Sequence, residues 1–479
     1  MLATMGQKLL AFLSFTFAAR IVGREITGEY FFAIAITSTF VIIGDLGFTP
    51  VVIRAIASGA EEGKRLLGAA LRFKMFLIPL AGAAALGYAL MRDASPAVLA
   101  TVCVAILVMS ADAIQLVLYG ALRGTQKLQF EAVGMFTGQA LTAVTAISAA
   151  ILGWGAPGLA LALLVASVWN VGWSWMQTRM QGVVAIRPTK KDFRSLAKQA
   201  IPFALAGIFV KVYSYLDSLM LEAYHGTPSV GTYSVAYKVT YAFQFIPLVF
   251  VAALFPAMSS VYASGDKKKL REVFGGSLRL MAIVGAPIAA GISAVADRFI
   301  PTVYGLEFLS SIPALEILPW VLLPIFLDFP VGSLLNATHR AHLKTTAMGA
   351  TMVLNAILNA FLVPAYGPVG AAWAGVASFW FLMAVGLCFT WKDLPGAGWL
   401  ASLLARSGIV AALTWIAVRG PGEIMPFPLA VLFGGAISVC ALLLTQLLTF
   451  QDLKMAVGWL MRKVKRGSDP VEEEAHTEV

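Results

Sequence analysis

Apolar runs about twenty residues long follow one another from residue 5 to residue 450, and they constrain this chain more than any motif in it. A helix needs roughly 20 apolar residues to cross a hydrocarbon core about 30 Å thick. Between charged, Pro or Gly breaks there are about fourteen such runs. They lie near 5–22, 30–53, 69–91, 97–119, 131–152, 157–177, 200–222, 231–257, 277–297, 312–336, 344–364, 369–390, 399–418 and 427–450. Only 13% of the residues are charged, roughly half the share of a soluble domain. The fold class expected is therefore all-α integral membrane, with about 14 transmembrane helices.

Charge tests that count, because cytoplasmic loops collect Lys and Arg. With the N-terminus inside, 27 of the 35 Lys and Arg fall on the inner side, against four outside: Arg24, Arg92, Arg298 and Arg419. Dropping one span would invert every later loop and scramble the bias. Both termini are thus expected to be cytoplasmic, in a cell inner (plasma) membrane. The net charge of +10 marks orientation; nucleic acid is excluded as a partner, since no contiguous soluble stretch carries a basic face. Cys103, Cys388 and Cys440 stand in apolar runs with no Cys or His at metal spacing, so they read as core packing residues, with no disulfide framework and no metal site. The apolar run after Lys8 reaches Arg20 without a small-residue cleavage site and reads as a retained helix rather than a signal peptide.

The chain repeats itself at an offset of 203. Gly28, Tyr30, Ala33, Thr37 and Phe40 match Gly231, Tyr233, Ala236, Thr240 and Phe243, and Lys64 and Arg65 match Lys267 and Lys268. At an offset of 211, Pro157, Ser167 and Trp169 match Pro368, Ser378 and Trp380. Units of six helices keep one orientation, so the copies should be related by an axis along the membrane normal. The organisation expected is a six-helix lobe over 1–190, a second over 191–395, two appended helices over 396–450, and an amphipathic cytoplasmic helix with an acidic tail over 451–479.

A cation near a helix centre costs about 2.5–3.5 kcal/mol on insertion scales, so Lys and Arg within spans face a cavity or a partner. Arg20, Arg54, Lys211 and Lys238 are such residues, and Arg24 lies one turn beyond Arg20 on the same face. Asp45, Asp112, Glu131, Asp217, Glu316 and Asp328 are acids at or near membrane depth. They are candidates for neutralising those cations, Asp217 for Lys211 or Lys238, or for binding a coupling H+ or Na+. Tyr213, Tyr215, Tyr233, Tyr237 and Tyr241 offer rings for stacking on a ligand or for packing. Gly153, Gly155 and Gly158 spell G-x-G-x-x-G, but in a turn between two membrane helices with no strand before it, which excludes a dinucleotide site. His339 to His342 read as a solvated inner loop. No catalytic constellation stands out, so a transporter rather than an enzyme is expected, with no cofactor.

The motifs are more specific in their order than one by one. They run A-A-R-I-V-G-R-E-I-T-G-E-Y from Ala18 to Tyr30, D-L-G at Asp45 to Gly47, and G-A-L-R-G-T-Q-K from Gly120 to Lys127. V-G-T-Y-S-V-A-Y-K follows from Val230 to Lys238, L-F-P at Leu254 to Pro256, V-Y-G at Val303 to Gly305, and N-A-I-L-N-A-F-L-V-P-A-Y-G-P-V-G-A-A from Asn355 to Ala372. In this order the chain resembles the polysaccharide transporter (Wzx-type flippase) branch of the multidrug/oligosaccharidyl-lipid/polysaccharide exporter superfamily.

The resemblance implies a flippase moving polyprenyl- or dolichyl-pyrophosphate-linked oligosaccharide to the outer leaflet by alternating access. Its cargo would serve O-antigen, capsule or exopolysaccharide synthesis, and its partners would be membrane lipids and polysaccharide polymerase and chain-length proteins. Sister lipid II flippases line their cavity with arginines of the first helices, which favours Arg20, Arg24 and Arg54 as contacts to the cargo, beside Lys211 and Lys238. The rivals are a drug/cation antiporter of the same superfamily, which would need an acidic cavity, and a membrane glycosyltransferase or polymerase, which would need a sizeable catalytic loop.

Overall fold

The computed structural model describes residues 2–449; the expected amphipathic segment and acidic tail at 451–479 lie outside the described residues. Fifteen α-helices occur in order among the described residues, and no strand. The first six are α1 (Leu2–Asp45), α2 (Phe48–Ser58), α3 (Ala60–Met91), α4 (Pro96–Gly124), α5 (Leu128–Ile151) and α6 (Gly155–Met180). Then come α7 (Lys190–His225), α8 (Thr227–Ala242), α9 (Phe245–Ala263), α10 (Lys267–Val303), α11 (Ile312–Ile317) and α12 (Leu322–Ala337). The last are α13 (Ala341–Phe389), α14 (Ala397–Arg419) and α15 (Phe427–Leu444).

Among these residues, eleven helices are long and apolar enough to cross a membrane, or twelve when the bent α7 counts as one span. The difference from about fourteen runs lies in two helices that each hold two runs. A straight helix would separate Phe15 from Phe31 by about 24 Å along its axis, yet their rings sit 5.3 Å apart. The chain folds back at Gly23, whose φ of 81° an L side chain rarely adopts. In α13, Asn355 donates to Ser378 Oγ at 3.2 Å, across about 34 Å of ideal helix, so this helix also reverses, at Gly367 (φ 53°). Both long helices are hairpins, with turns at the end expected to face outward.

Three expected spans are interrupted. The run 30–53 ends at Asp45, where Leu46 (φ 40°) and Gly47 (φ 72°) take left-handed backbone. A Cβ on Gly47 would lie 2.6 Å from the Ala204 backbone nitrogen, so close packing on α7 requires the glycine. Arg54 consequently belongs to a separate short helix, α2, whose Phe48, Val51, Val52 and Ile56 are buried, while Arg54 itself is exposed. The run 231–257 breaks at Phe243–Gln244, and 312–336 is assembled from α11, a 3-10 turn at Leu318–Val321, and α12. The three cysteines are exposed on apolar helices rather than packed in the core as expected; near them the buried positions are taken by residues such as Ala105, Gly386 and Ala441.

The repeat is physical as well as sequential. A Cβ built on Gly28 would lie 1.9 Å from Thr227 O and 3.0 Å from Gly231 N, and one on Gly231 would lie 2.1 Å from Arg24 O and 3.0 Å from Gly28 N. Arg24 and Thr227 are themselves 203 residues apart, so equivalent atoms of the two copies meet reciprocally. That is the contact expected where a pseudo-two-fold axis passes between like elements.

One helix crosses between the copies. α7 starts with a capping box, in which Thr189 N donates to Asp192 Oδ2 at 2.7 Å and Asp192 N to Thr189 Oγ1 at 3.4 Å. Its first half packs on the first copy, with Phe193 edge-on to Phe73 at 5.1 Å. It then bends by 41° between Leu205 and Gly207, and its second half packs on α13, with Tyr213 against Phe379 at 5.3 Å. The last two helices, α14 and α15, lie on α10.

Candidate functional site

Polar groups gather in three places, and the sequence-nominated residues divide among them. The first is a cavity of about 660 Å³ walled by α1, α2, α4, α5, α6 and α7. Asp45, Asp112, Glu131 and Lys211 all line it, together with Arg123. Asp45 accepts from Lys74 Nζ at 2.8 Å, and that lysine is only 1% exposed. Glu131 is gripped by both Nε and Nη2 of Arg123. Asp112 accepts from Ser167 Oγ at 2.7 Å and Gln115 Nε2 at 2.6 Å. Lys211 stands over the Tyr215 ring at 5.7 Å.

The second place lies between the copies. Lys238, halfway along α8, is exposed and faces the Phe15 and Phe31 rings of α1 at 5.5 and 5.3 Å. Lys8, near the start of α1, is exposed as well, and no acid lies within ion-pair distance of Lys238 among the described residues. Lys8 also lines a separate cavity of about 940 Å³ between α1, α8, α10, α14 and α15, whose wall is otherwise almost wholly apolar, including Phe12, Phe243, Ile288 and Phe427.

The third place is inside the second copy. Asp217, 8% exposed, accepts from Tyr233 Oη at 2.9 Å and Asn359 Nδ2 at 2.7 Å. The expected pairing of Asp217 with Lys211 or Lys238 is therefore replaced by neutral donors: α7 presents Lys211 to the first copy and Asp217 to the second. Asn355 and Asn359 are fully buried beside it, and Asn359 Oδ1 has no hydrogen-bond partner. Two asparagines at i, i+4 in an otherwise apolar helix share one face, the pattern in the sequence that marks this buried polar cluster. The tyrosines mostly pack on one another, Tyr237 on Tyr241 at 4.2 Å; Tyr215 alone of the five lines the first cavity.

Arg20 and Arg24 line neither cavity; they close the end expected to face outward. Arg20 donates to the terminal carbonyls of α10, Thr302 O at 2.5 Å and Val303 O at 3.0 Å, where a cation also meets the negative end of the helix dipole. Arg24 donates to Ser310 Oγ at 3.2 Å, the Glu307 carboxylate is packed on Gly23, and Arg92 pairs with Glu222 at 3.3 Å. Arg54 projects over the Phe203 ring at 5.4 Å. Glu316 pairs with Arg419, and Asp328 with Lys344. Lys74 and Arg123, two of the 27 cations expected on the inner side, are partners of acids in the first cavity.

A family model described as "Polysaccharide biosynthesis protein" matches residues 1–262, more than half of the chain, and the MatE model matches residues 202–361. The chain is 26% identical over 383 residues to the probable low-salt glycan biosynthesis flippase Agl15 of Haloferax volcanii, covering 77% of each. It is 32% identical over 131 residues to the lipopolysaccharide biosynthesis protein WzxC of Escherichia coli K12, covering 27% of this chain and 26% of the other. Among solved structures, the lipid II flippase MurJ in an inward closed conformation matches with a TM-score of 0.74 at 15% identity, over 92% of this chain and 97% of that one. The last likeness is one of fold.

Proposed function

The chain belongs to the polysaccharide biosynthesis protein family, and we propose that it is a flippase carrying lipid-linked oligosaccharide across the membrane by alternating access. One observation carries this reading: Lys238 stands exposed between the copies over the Phe15 and Phe31 rings, and its helix continues through Val239 and Ala242 into the wall of a cavity that is almost wholly apolar apart from Lys8. An amphiphile with an anionic pyrophosphate head and a prenyl tail needs both, side by side. Lys238 and Lys211 are the contacts to the cargo in the state closed at the outer end. Arg20 and Arg24 become contacts when that end opens and their carbonyl and hydroxyl partners withdraw, and Arg54 meets the head group from α2.

Flipping of a fluorescent polyprenyl-pyrophosphate oligosaccharide in proteoliposomes tests the reading. Lys238→Met is expected to lower the rate at least ten-fold, a loss of about 1.4 kcal/mol or more in transition-state stabilisation. Full activity in that variant, at normal expression, would refute the assignment. The MatE match favours a drug/cation antiporter as the second reading. Against it stands the balance of charge in the first cavity, whose three acids face Arg123, Lys211 and, just behind the wall, Lys74; a cationic cargo calls for an acidic excess.

Asp217 with Asn355, Asn359 and Ser378 supplies hard oxygen donors around one carboxylate and is proposed as the seat of a coupling Na+ or H+. Asp217→Asn is expected to abolish the dependence of flipping on an imposed ion gradient. The reading places both termini in the cytoplasm, the protein in the inner (plasma) membrane, and the product with polymerase and chain-length proteins that build O-antigen, capsule or exopolysaccharide.

A further inference from the structure

We propose that the cavity of the first copy seats the glycan of the cargo and is built for a polyhydroxylated ring rather than for a net charge; the inference rests on the flippase reading. Its volume, about 660 Å³, lies within the range of small-molecule sites. Its charges cancel. Lys74 neutralises Asp45 and Arg123 neutralises Glu131, which leaves Asp112 of α4 and Lys211 of α7, opposite in sign, both lining the cavity. A pyrophosphate would meet Asp112, and an organic cation would meet Lys211, so neither gains from entering.

The hydrogen-bonding groups instead match hydroxyls. Ser167 and Gln115 both donate to Oδ1 of Asp112, which holds the carboxylate in place and leaves Oδ2 with no hydrogen-bond partner among the described residues. The Gln115 side chain also carries a buried oxygen, Oε1, with no partner, and a buried acceptor left unpaired carries a desolvation cost that a donor removes. A prenyl chain has no donor to offer. Neighbouring sugar hydroxyls donate to Oδ2 and, once the Gln115 side chain turns toward the cavity it lines, to Oε1, and accept from the Lys211 ammonium, a group with three N–H donors. Tyr215, beneath Lys211, and Phe203 line the same wall and give flat apolar surfaces for the C–H face of a sugar ring. The head group would then lie between the copies at Lys238, with α7 joining the two sites.

Binding to the full-length protein in nanodiscs tests this with two probes: lipid-linked oligosaccharide extracted from cells that make the protein, and sugar-free polyprenyl pyrophosphate. The wild type is expected to bind the glycosylated lipid at least ten-fold more tightly. Gln115→Leu and Asp112→Asn are expected to bind the sugar-free lipid as the wild type does, which also reports an intact fold, and to lose most of that preference. Tyr215→Leu, which removes no hydrogen bond present in the structure, should lower the preference as well. Retention of the full preference in Gln115→Leu and Tyr215→Leu overturns the proposal, as does a wild type that binds both lipids equally. A wild type that binds neither lipid overturns the flippase reading along with it.

Discussion

Asp45 and Lys74 show how a single charge is held in this fold. The ammonium of Lys74 is almost completely buried and is satisfied by Asp45 and the Gly44 carbonyl. Truncating one partner of such a pair leaves an uncompensated buried charge, at a cost of about 3–5 kcal/mol. Asp45→Ala should therefore destabilise the protein strongly, and Asp45→Ala combined with Lys74→Met should recover most of the loss, as measured by unfolding in detergent; equal effects of single and double variants would contradict the pairing. Gly28 gives the second expectation at this scale. Its side-chain direction is filled by the Thr227 carbonyl, so Gly28→Val forces the copies apart at the outer end. A cysteine at Thr232, in a background lacking the three native cysteines, should then react faster with an impermeant maleimide added outside, and unchanged labelling would count against the contact. Residue identity showed that mid-span cations needed partners; which acid each would meet was not legible, because Asp217 and Lys211, on one helix, point into different copies.

At the scale of elements, the apolar runs located the helices but not their interruptions. Gly23, Gly47 and Gly367 are three of 43 glycines; Gly23 and Gly367 carry a positive φ inside α1 and α13, and Gly47 has both a positive φ and a Cβ direction filled by Phe203 and Ala204. Both are properties of packing. α7 is the element with the most to disturb, since it is seated on one copy and tied to the other. Its capping box makes the start sensitive: Thr189→Ala should cost about 1 kcal/mol, visible as a lower midpoint of thermal unfolding. Arg92 and Glu222 join the end of α3 to the end of α7. Exchanging them, Arg92→Glu with Glu222→Arg, should restore the flipping lost in either single reversal; failure of the exchange would mean that the pair does not act as a unit.

The whole molecule is organised by orientation. If the basic loops face the cytoplasm, a cysteine replacing Lys268 should be labelled by an impermeant reagent only after the membrane is opened, and one replacing Gly153 should be labelled in intact cells. The reverse pattern would invert the topology. The closure at Gly28 and Gly231, with Arg20, Arg24 and Arg92 engaged across it, joins the two copies at the end expected to face outward.

By itself the sequence determined that this chain is helical and membrane-embedded, and it set the expectation of two copies in one orientation with few cations free to bind anything. Those properties follow from run length, loop charge and periodicity, which are local or additive along the chain. Only the tertiary structure decided that Arg20 and Arg24 engage the second copy at the end expected to face outward and that Asp217 sits among neutral donors. It likewise decided that the first cavity is electrically balanced while Lys238 stands between the copies over two rings of α1. Each of these depends on groups far apart in sequence meeting across a few ångströms, and a buried charge or an unpaired acceptor acquires its meaning from whatever the fold places beside it.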